Sequence, residues 1–137
     1  MTALTFIFAL VGALLVATFT EVRNYQAALL ALDRIRNKDG RLEAAYQRVA
    51  FYRGLELFKN MQIEESIGMF DKSLQYERHN RELKARAVYW RAEAEYRTGQ
   101  YEAASKDYTA FMGLPGAMSL PEASLLRYNL GYVWFNL

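Results

Sequence analysis

Residues of similar type recur along this chain at an offset of 38 positions. One series runs through Tyr25, Ile63 and Tyr101. Two further series keep the same offset, namely Ala28, Ser66 and Ala104, and Leu32, Phe70 and Tyr108. A period of roughly 20–50 residues is typical of one supersecondary unit that is copied and stacked, because a single copy cannot bury its apolar face alone. The offset therefore predicts a chain of repeated units.

Each copy contains a small residue followed four positions later by an aromatic residue. The three pairs are Gly54 and Phe58, Ala92 and Tyr96, and Gly131 and Phe135. A spacing of four residues is about one turn of a helix. In the third copy this helix leads to Gly99, which favours a helix end, and then to a second amphipathic run. Each unit is thus predicted as a helix, a tight turn and a helix.

The chain is predicted to be all-α, with one domain over residues 1–137. Hydrophobic residues make up 53% of its 137 residues, enough for one continuous core. Seven helices are predicted, at about 3–21, 24–36, 41–59, 62–76, 80–98, 101–113 and 121–137. Pro121 suits the first turn of the last helix, where its missing N–H costs nothing.

At these residues the chain resembles the tetratricopeptide repeat family, including its bacterial envelope members. The third copy carries the resemblance at its small, turn, aromatic and closing positions: Ala92, Gly99, Tyr101, Ala104, Tyr108 and Pro115. The second copy departs from the family pattern at Met61 and Ser66. Repeats of the family are usually about 34 residues long, so the longer offset implies about one extra helical turn per unit.

The resemblance implies a right-handed helix-turn-helix solenoid of about 3.5 repeats. The repeats are expected at about 3–36, 41–76 and 80–113, with a half repeat at 121–137. The half repeat ends before any second helix, so its final helix is expected to be uncovered and to promote self-association or recruit a partner. The side chains expected on this uncovered face are Leu126, Leu130, Val133, Trp134 and Leu137.

Residues 1–20 contain no charged side chain. An uncharged run of this length is at the short end of a membrane span, although Met1, Thr2 and Ala3 supply no basic residue for a signal peptide. The 38-residue register also runs through this segment, because Val16 and Phe19 lie 38 positions before Gly54 and Leu57. Two interpretations stay open, a membrane or targeting segment and the first helix of repeat one.

No constellation of residues predicts catalysis, a metal site or a cofactor. The chain has no cysteine and a single histidine, His79, which is predicted to be solvated in a polar linker. Glu93 and Glu95 lie two positions apart, so they face different directions on a helix and are predicted to be solvated. The formal net charge is +2 with acidic and basic residues interspersed, which does not indicate a nucleic-acid partner.

A surface for protein binding is the remaining prediction. In the family the first helix of each repeat lines an inner groove, and the matching positions are rich in the Tyr and Arg side chains that anchor interfaces. They are Arg48, Phe51, Leu55, Phe58, Arg86, Tyr89, Glu93, Tyr96, Arg97, Leu125, Tyr128, Tyr132 and Phe135. Chaperone-binding members hold a carboxylate with Lys and Asn in this groove, but Phe51, Tyr89 and Tyr128 occupy the corresponding places here.

The sequence therefore predicts a non-catalytic scaffold that binds a protein or peptide in an aromatic and basic groove. The alternative is a structural component of a membrane-associated assembly, anchored by residues 1–20. The resemblance favours the cell envelope over the cytoplasm as the location.

Overall fold

A computed structural model describes residues 24–137, which form six α-helices and no strand. The helices are α1 (Tyr25–Asp33), α2 (Gly40–Lys59), α3 (Ile63–Leu74), α4 (Arg81–Arg97), α5 (Tyr101–Gly113) and α6 (Leu126–Phe135). Short 3-10 turns lie at Glu77–His79, Ala117–Ser119 and Pro121–Leu125. The predicted all-α class is confirmed for this part of the chain. The helix predicted at 3–21 lies outside the described residues, as do both interpretations of residues 1–20.

The ends of the helices follow capping residues that the sequence contains. The side chains of Asn24, Asp39 and Asn80 accept hydrogen bonds from backbone N–H groups at the starts of α1, α2 and α4, at 3.0, 2.9 and 3.0 Å. Such caps satisfy N–H groups that have no partner within the helix. Helices α2 to α5 begin and end within two residues of the predicted positions, although α3 and α5 begin without a side-chain cap.

Two predicted boundaries are wrong. Helix α1 ends at Asp33 and not at residue 36. The last helix begins at Leu126, because Pro121–Leu125 forms a 3-10 turn before it. Glu122 in that turn forms an ion pair of 2.7 Å with Arg86 of α4. Local sequence rules do not predict this contact, because the two residues are far apart in the chain.

The turn between α2 and α3 has the same hydrogen bonds as the turn between α4 and α5. The N–H of Gln62 donates to the carbonyl of Leu57 at 2.9 Å, and the N–H of Gln100 donates to that of Glu95 at 2.8 Å. The residue before each of these donors has positive φ, 64° at Met61 and 81° at Gly99. The two turns lie 38 residues apart, and this geometry closes helix C-termini in many proteins.

Substitutions at Met61 and Gly99 test whether a side chain is equally strained at the two turn positions. Glycine adopts positive φ without a steric penalty, whereas other residues are strained there. We expect Gly99→Ala to lower, and Met61→Gly to raise, the free energy of unfolding by about 0.5–1 kcal/mol each. Chemical denaturation measures both changes. An unaffected Gly99→Ala protein would contradict the expectation that a residue with a side chain is strained at this position.

The helices pack in chain order, each against the next. The closest pairs are α2 with α3 and α4 with α5, and α2 also contacts α4. Buried side chains form three clusters, one between α1 and α2, one among α2, α3 and α4, and one among α4, α5 and α6. The contacts among the described residues are therefore mainly between helices that are neighbours in sequence.

Small residues on the first helix of each pair decide how closely the helices approach. A Cβ atom at Gly54 would lie 2.6 Å from Cε1 of Phe70 on α3, and Phe70 is fully buried. Ala92 of α4 is also fully buried, in one cluster with Tyr108 of α5. Gly131, the small residue of α6, has no such neighbour, since no atom of residues 24–137 lies within 4 Å of a Cβ atom built there.

The two glycines should respond in opposite ways to alanine. Gly54→Ala forces the buried Phe70 ring to move, so the overpacking cost of about 1–3 kcal/mol exceeds the gain in helix propensity and the protein is destabilised. Gly131→Ala meets open space and should stabilise the protein by about 0.5–1 kcal/mol. Thermal or chemical unfolding of both variants checks the contrast. Equal effects of the two substitutions would contradict it.

Candidate functional site

The residues predicted to line a groove fall into three groups by exposure. Phe51, Phe58, Tyr89 and Glu93 are buried. Leu55, Arg86 and Tyr96 are half-buried. Arg48, Arg97, Leu125, Tyr128, Tyr132 and Phe135 are exposed. The structure therefore brings the α6 residues to the surface and encloses the aromatic residues at the centre of α2 and α4, which pack between helices.

Glu93 is enclosed among polar side chains of α4, α5 and α6. Its Oε1 accepts hydrogen bonds from Oη of Tyr108 at 2.6 Å, from Oη of Tyr89 at 3.2 Å and from Nδ2 of Asn129. Burial, followed by the adjacent Glu93 carboxylate, raises the pKa of both tyrosines above the usual range. Glu93 is thus not solvated as predicted, and its hydrogen bonds tie α6 to the preceding helix pair.

Two of the predicted groove arginines are engaged with side chains of the same chain. Nε of Arg86 donates to Glu122, and its guanidinium carbon lies 5.0 Å from the centre of the Phe51 ring. The guanidinium carbon of Arg97 lies 4.7 Å from the centre of the Phe58 ring. Both cations lie over aromatic rings, an arrangement that is favourable when the ring faces the charge.

Glu95 of α4 and Asp107 of α5 are two further buried acidic residues. Each carboxylate is almost enclosed, and Arg91 binds Asp107 through two hydrogen bonds of 2.7 and 2.9 Å. Arg91 also reaches Asp71 of α3 at 2.9 Å. Burial, followed by the nearby Asp107 side chain, raises the pKa of Glu95 from its usual 4.5 to about 9. Glu95 is therefore protonated at neutral pH, which differs from the solvated glutamate that the sequence predicted.

The raised pKa of Glu95 makes stability depend on pH. Between pH 4.5 and 9 the folded chain keeps a proton that the unfolded chain releases, so stability falls as pH rises through this window. Glu95→Gln keeps a neutral side chain of the same shape and removes this dependence, so at pH 8 it should be more stable than the wild type by roughly 1–3 kcal/mol. Unfolding at pH 5 and pH 8 measures the effect. Glu102→Gln, an exposed control, should not change the pH slope.

The exposed side of α6 carries several large aromatic side chains. We define the C-terminal aromatic face as Tyr128, Gly131, Tyr132 and Phe135. Tyr128 is 70% exposed and Phe135 87% exposed. These residues line an open groove of about 580 Å³ together with Arg127 and Asn136.

The opposite side of α6 is covered, contrary to the sequence prediction. Leu126, Leu130 and Val133 are buried against α4 and α5. Trp134 is exposed as expected, although its Nε1 lies 3.3 Å from Oγ of Ser105. Helix α6 thus packs on the protein through its aliphatic side chains and exposes its aromatic side chains to solvent. Local periodicity alone does not tell which of these two faces is covered.

A basic pocket of about 320 Å³ lies between the N-terminal parts of α2 and α4. We define the basic pocket by its lining residues, which are Arg41, Ala44, Ala45, Arg48, His79, Asn80 and Leu83. Only Arg48 was predicted as a groove residue. Arg41 and Arg48 lie seven positions apart, about two helical turns, and this spacing is the signal that would have placed both on one face.

His79 is part of this pocket and is not the solvated linker residue that the sequence predicted. Its side chain is only 18% exposed, and its Nε2 lies 3.0 Å from Oε2 of Glu43. The hydrogen bond with His79, together with the nearby Arg78, lowers the pKa of Glu43. The contact joins α2 to the turn before α4.

Other features of the described residues do not point to a ligand. Within residues 24–137, His, Cys, Asp and Glu side chains form no group of three or more that could hold a metal ion. No helix of this part of the chain has both the length and the apolar character needed to cross a membrane. Comparison with protein-family models, with curated proteins and with solved structures gives no match.

Proposed function

We propose that this chain is a tetratricopeptide-like solenoid of about 3.5 repeats with a 38-residue period. The turns at Met61 and Gly99 support the period, because the two turns have positive φ at equivalent positions and contain the same backbone hydrogen bond. The burial of a small residue on each first helix, Gly54 on α2 and Ala92 on α4, also supports it. In this proposal α2 and α4 are the first helices of repeats two and three, and α6 is the first helix of a half repeat.

The function we propose for this solenoid is non-catalytic binding of a protein partner. The observation that carries the proposal is the C-terminal aromatic face, where tyrosine and phenylalanine side chains flank a glycine that no residue of the described chain covers. Exposed apolar faces of this kind mark interaction sites, and tyrosine is enriched among the residues that contribute most to binding.

The partner surface that fits this face is an amphipathic helix with an aromatic residue placed over Gly131. The reason is that the helix pairs α2 with α3 and α4 with α5 both place an aromatic residue of the second helix close to a small residue of the first. Phe70 of α3 lies against Gly54 of α2, and Tyr108 of α5 lies in one cluster with Ala92 of α4. A helix that repeats this relation on α6 would cover the open groove and bury its aromatic rings, which favours association.

A synthetic peptide with the sequence of residues 100–113 is the probe for this proposal, because it contains α5 and its aromatic Tyr108. Fluorescence anisotropy with the 137-residue protein should detect saturable binding. Gly131→Leu fills the space over the helix and should weaken binding about tenfold or more. Gly68→Leu is the matched control, since Gly68 is a helical glycine with nothing within 4 Å, and it should leave binding unchanged.

A peptide with Tyr108→Ala should bind more weakly if the aromatic ring lies over Gly131. Equal binding of both peptides, or an equal effect of both glycine variants, would contradict the proposed mode of association. Circular dichroism should show the same helix content for both protein variants, so that a loss of binding does not reflect unfolding.

A structural role in a membrane-associated assembly is the second candidate, favoured by the uncharged run of residues 1–20. The two candidates differ in one measurable respect. A chain that acts only as an anchored spacer stays with membrane complexes when Gly131→Leu is introduced, whereas a binding module loses its partner.

A further inference from the structure

We propose that the basic pocket binds an acidic side chain of the partner protein, next to a small aliphatic side chain. This inference deepens the proposed function and rests on it. It assigns a second contact region, formed by α2 and α4, that is separate from the C-terminal aromatic face on α6. The ligand class is a carboxylate presented by an unmodified polypeptide.

Charge is the first argument for a carboxylate. The two arginines of the pocket, Arg41 and Arg48, are exposed and form no ion pair or hydrogen bond with another described residue. Among the described residues, no acidic side chain lines the pocket. Arginine forms forked hydrogen bonds with carboxylates, so two unpaired guanidinium groups at one cavity favour an anionic ligand.

The acidic residues close to the pocket are occupied. Glu43 contacts His79 at 3.0 Å and Arg78 at 3.1 Å. Glu77 pairs with Lys84 at 3.1 Å. Neither carboxylate is therefore free to neutralise the pocket, and the excess positive charge stays available to a partner.

Shape is the second argument. The uncharged part of the lining consists of Ala44, Ala45 and Leu83, which provide small apolar surfaces beside the arginines. A volume of about 320 Å³ is at the lower end of the range for binding pockets. It has room for one or two side chains. A nucleic-acid backbone needs a longer series of cations, because its phosphates are spread along the strand.

The walls of the pocket are held in place by hydrogen bonds before any ligand binds. Nε2 of the fully buried Gln47 on α2 donates to the backbone carbonyl of Asn80 at 2.9 Å. The side chain of Asn80 caps α4 by accepting from the N–H of Leu83 at 3.0 Å. A site fixed in this way loses little conformational freedom on binding, which favours affinity.

The pocket differs from the carboxylate-binding positions of chaperone-binding family members. Those positions correspond to Phe51, Tyr89 and Tyr128, of which the first two are buried here. Arg41, one of the two arginines on which the inference depends, lies outside the set of groove positions that the resemblance implies.

The probe for this inference is the hexapeptide Ser-Glu-Leu-Glu-Leu-Ser, acetylated at its N-terminus and amidated at its C-terminus. Titration into the 15N-labelled 137-residue protein should shift the amide signals of Ala44, Ala45 and Leu83. A peptide with Gln in place of both Glu residues should bind at least about tenfold more weakly, because it offers no charge to the arginines.

The protein variant for the test is Arg41→Gln with Arg48→Gln, and it should weaken binding of the acidic peptide about tenfold or more. The matched control is Arg34→Gln with Arg36→Gln, which changes the net charge equally at two exposed positions outside the pocket. This control should keep binding within about twofold of the wild type, since general charge effects are screened by salt.

Four results would overturn the inference. They are equal binding of the Glu and Gln peptides, equal loss of binding in both double variants, no loss of binding in Arg41→Gln with Arg48→Gln, and binding at this pocket of a phosphoserine peptide or inorganic phosphate in the absence of Glu-peptide binding.

The peptide of residues 100–113 serves as the second readout. If it still binds the C-terminal aromatic face, only the pocket assignment fails. If neither probe binds, the proposed function fails as well.

Discussion

The close contact between Gly54 of α2 and Phe70 of α3 is the constraint around which the described fold is arranged. A Cβ atom at position 54 would collide with the ring, so the two helices can approach only because the side chain is absent. The ring is fully buried there and joins the cluster that links α2, α3 and α4. Ala92 and Tyr108 share a cluster one pair further on. Apolar burial of this kind supplies the main driving force for joining helices that are marginal in isolation.

Buried polar groups then determine how one helix pair is oriented on the next. Gln47 bonds the turn before α4 and its own backbone carbonyl accepts from Ser73 of α3 at 2.8 Å. Arg91 connects α3 to α5, and Glu93 connects α4 to α5 and α6. Buried polar atoms are costly when unpaired, so alternative placements of these helices lose several hydrogen bonds at once. Apolar contacts bring the helices together, and the polar contacts select one arrangement.

The candidate site was predicted from the sequence only in part. Tyr128, Tyr132 and Phe135 were expected at the surface and are exposed. Phe51 and Tyr89 were assigned to the same kind of position but are buried, since α3 and α4 cover Phe51 and α5 and α6 cover Tyr89. Arg41 and His79 were not assigned to a site, because their approach depends on the contact between the turn at Glu77–His79 and α2. Helical periodicity gives the face on which a residue lies, but it does not say what covers that face.

Local sequence by itself indicated the bounds of helices α2 to α5 to within two residues, since the caps Asp39 and Asn80 and the turn at Gly99 act over a few positions. It also indicated the helix end at Gly99, whereas the positive φ of Met61 in the equivalent turn runs against the local preference of that residue. Tertiary structure alone decided the charge state of Glu95, the burial of Glu93 and the 3-10 turn before α6. Each of these depends on side chains far away in sequence, Asp107, Tyr108 and Arg86, whose approach creates the local environment. The burial of a side chain and its electrostatic partners are set by the packing of the whole fold, so a local pattern of residues does not predict them.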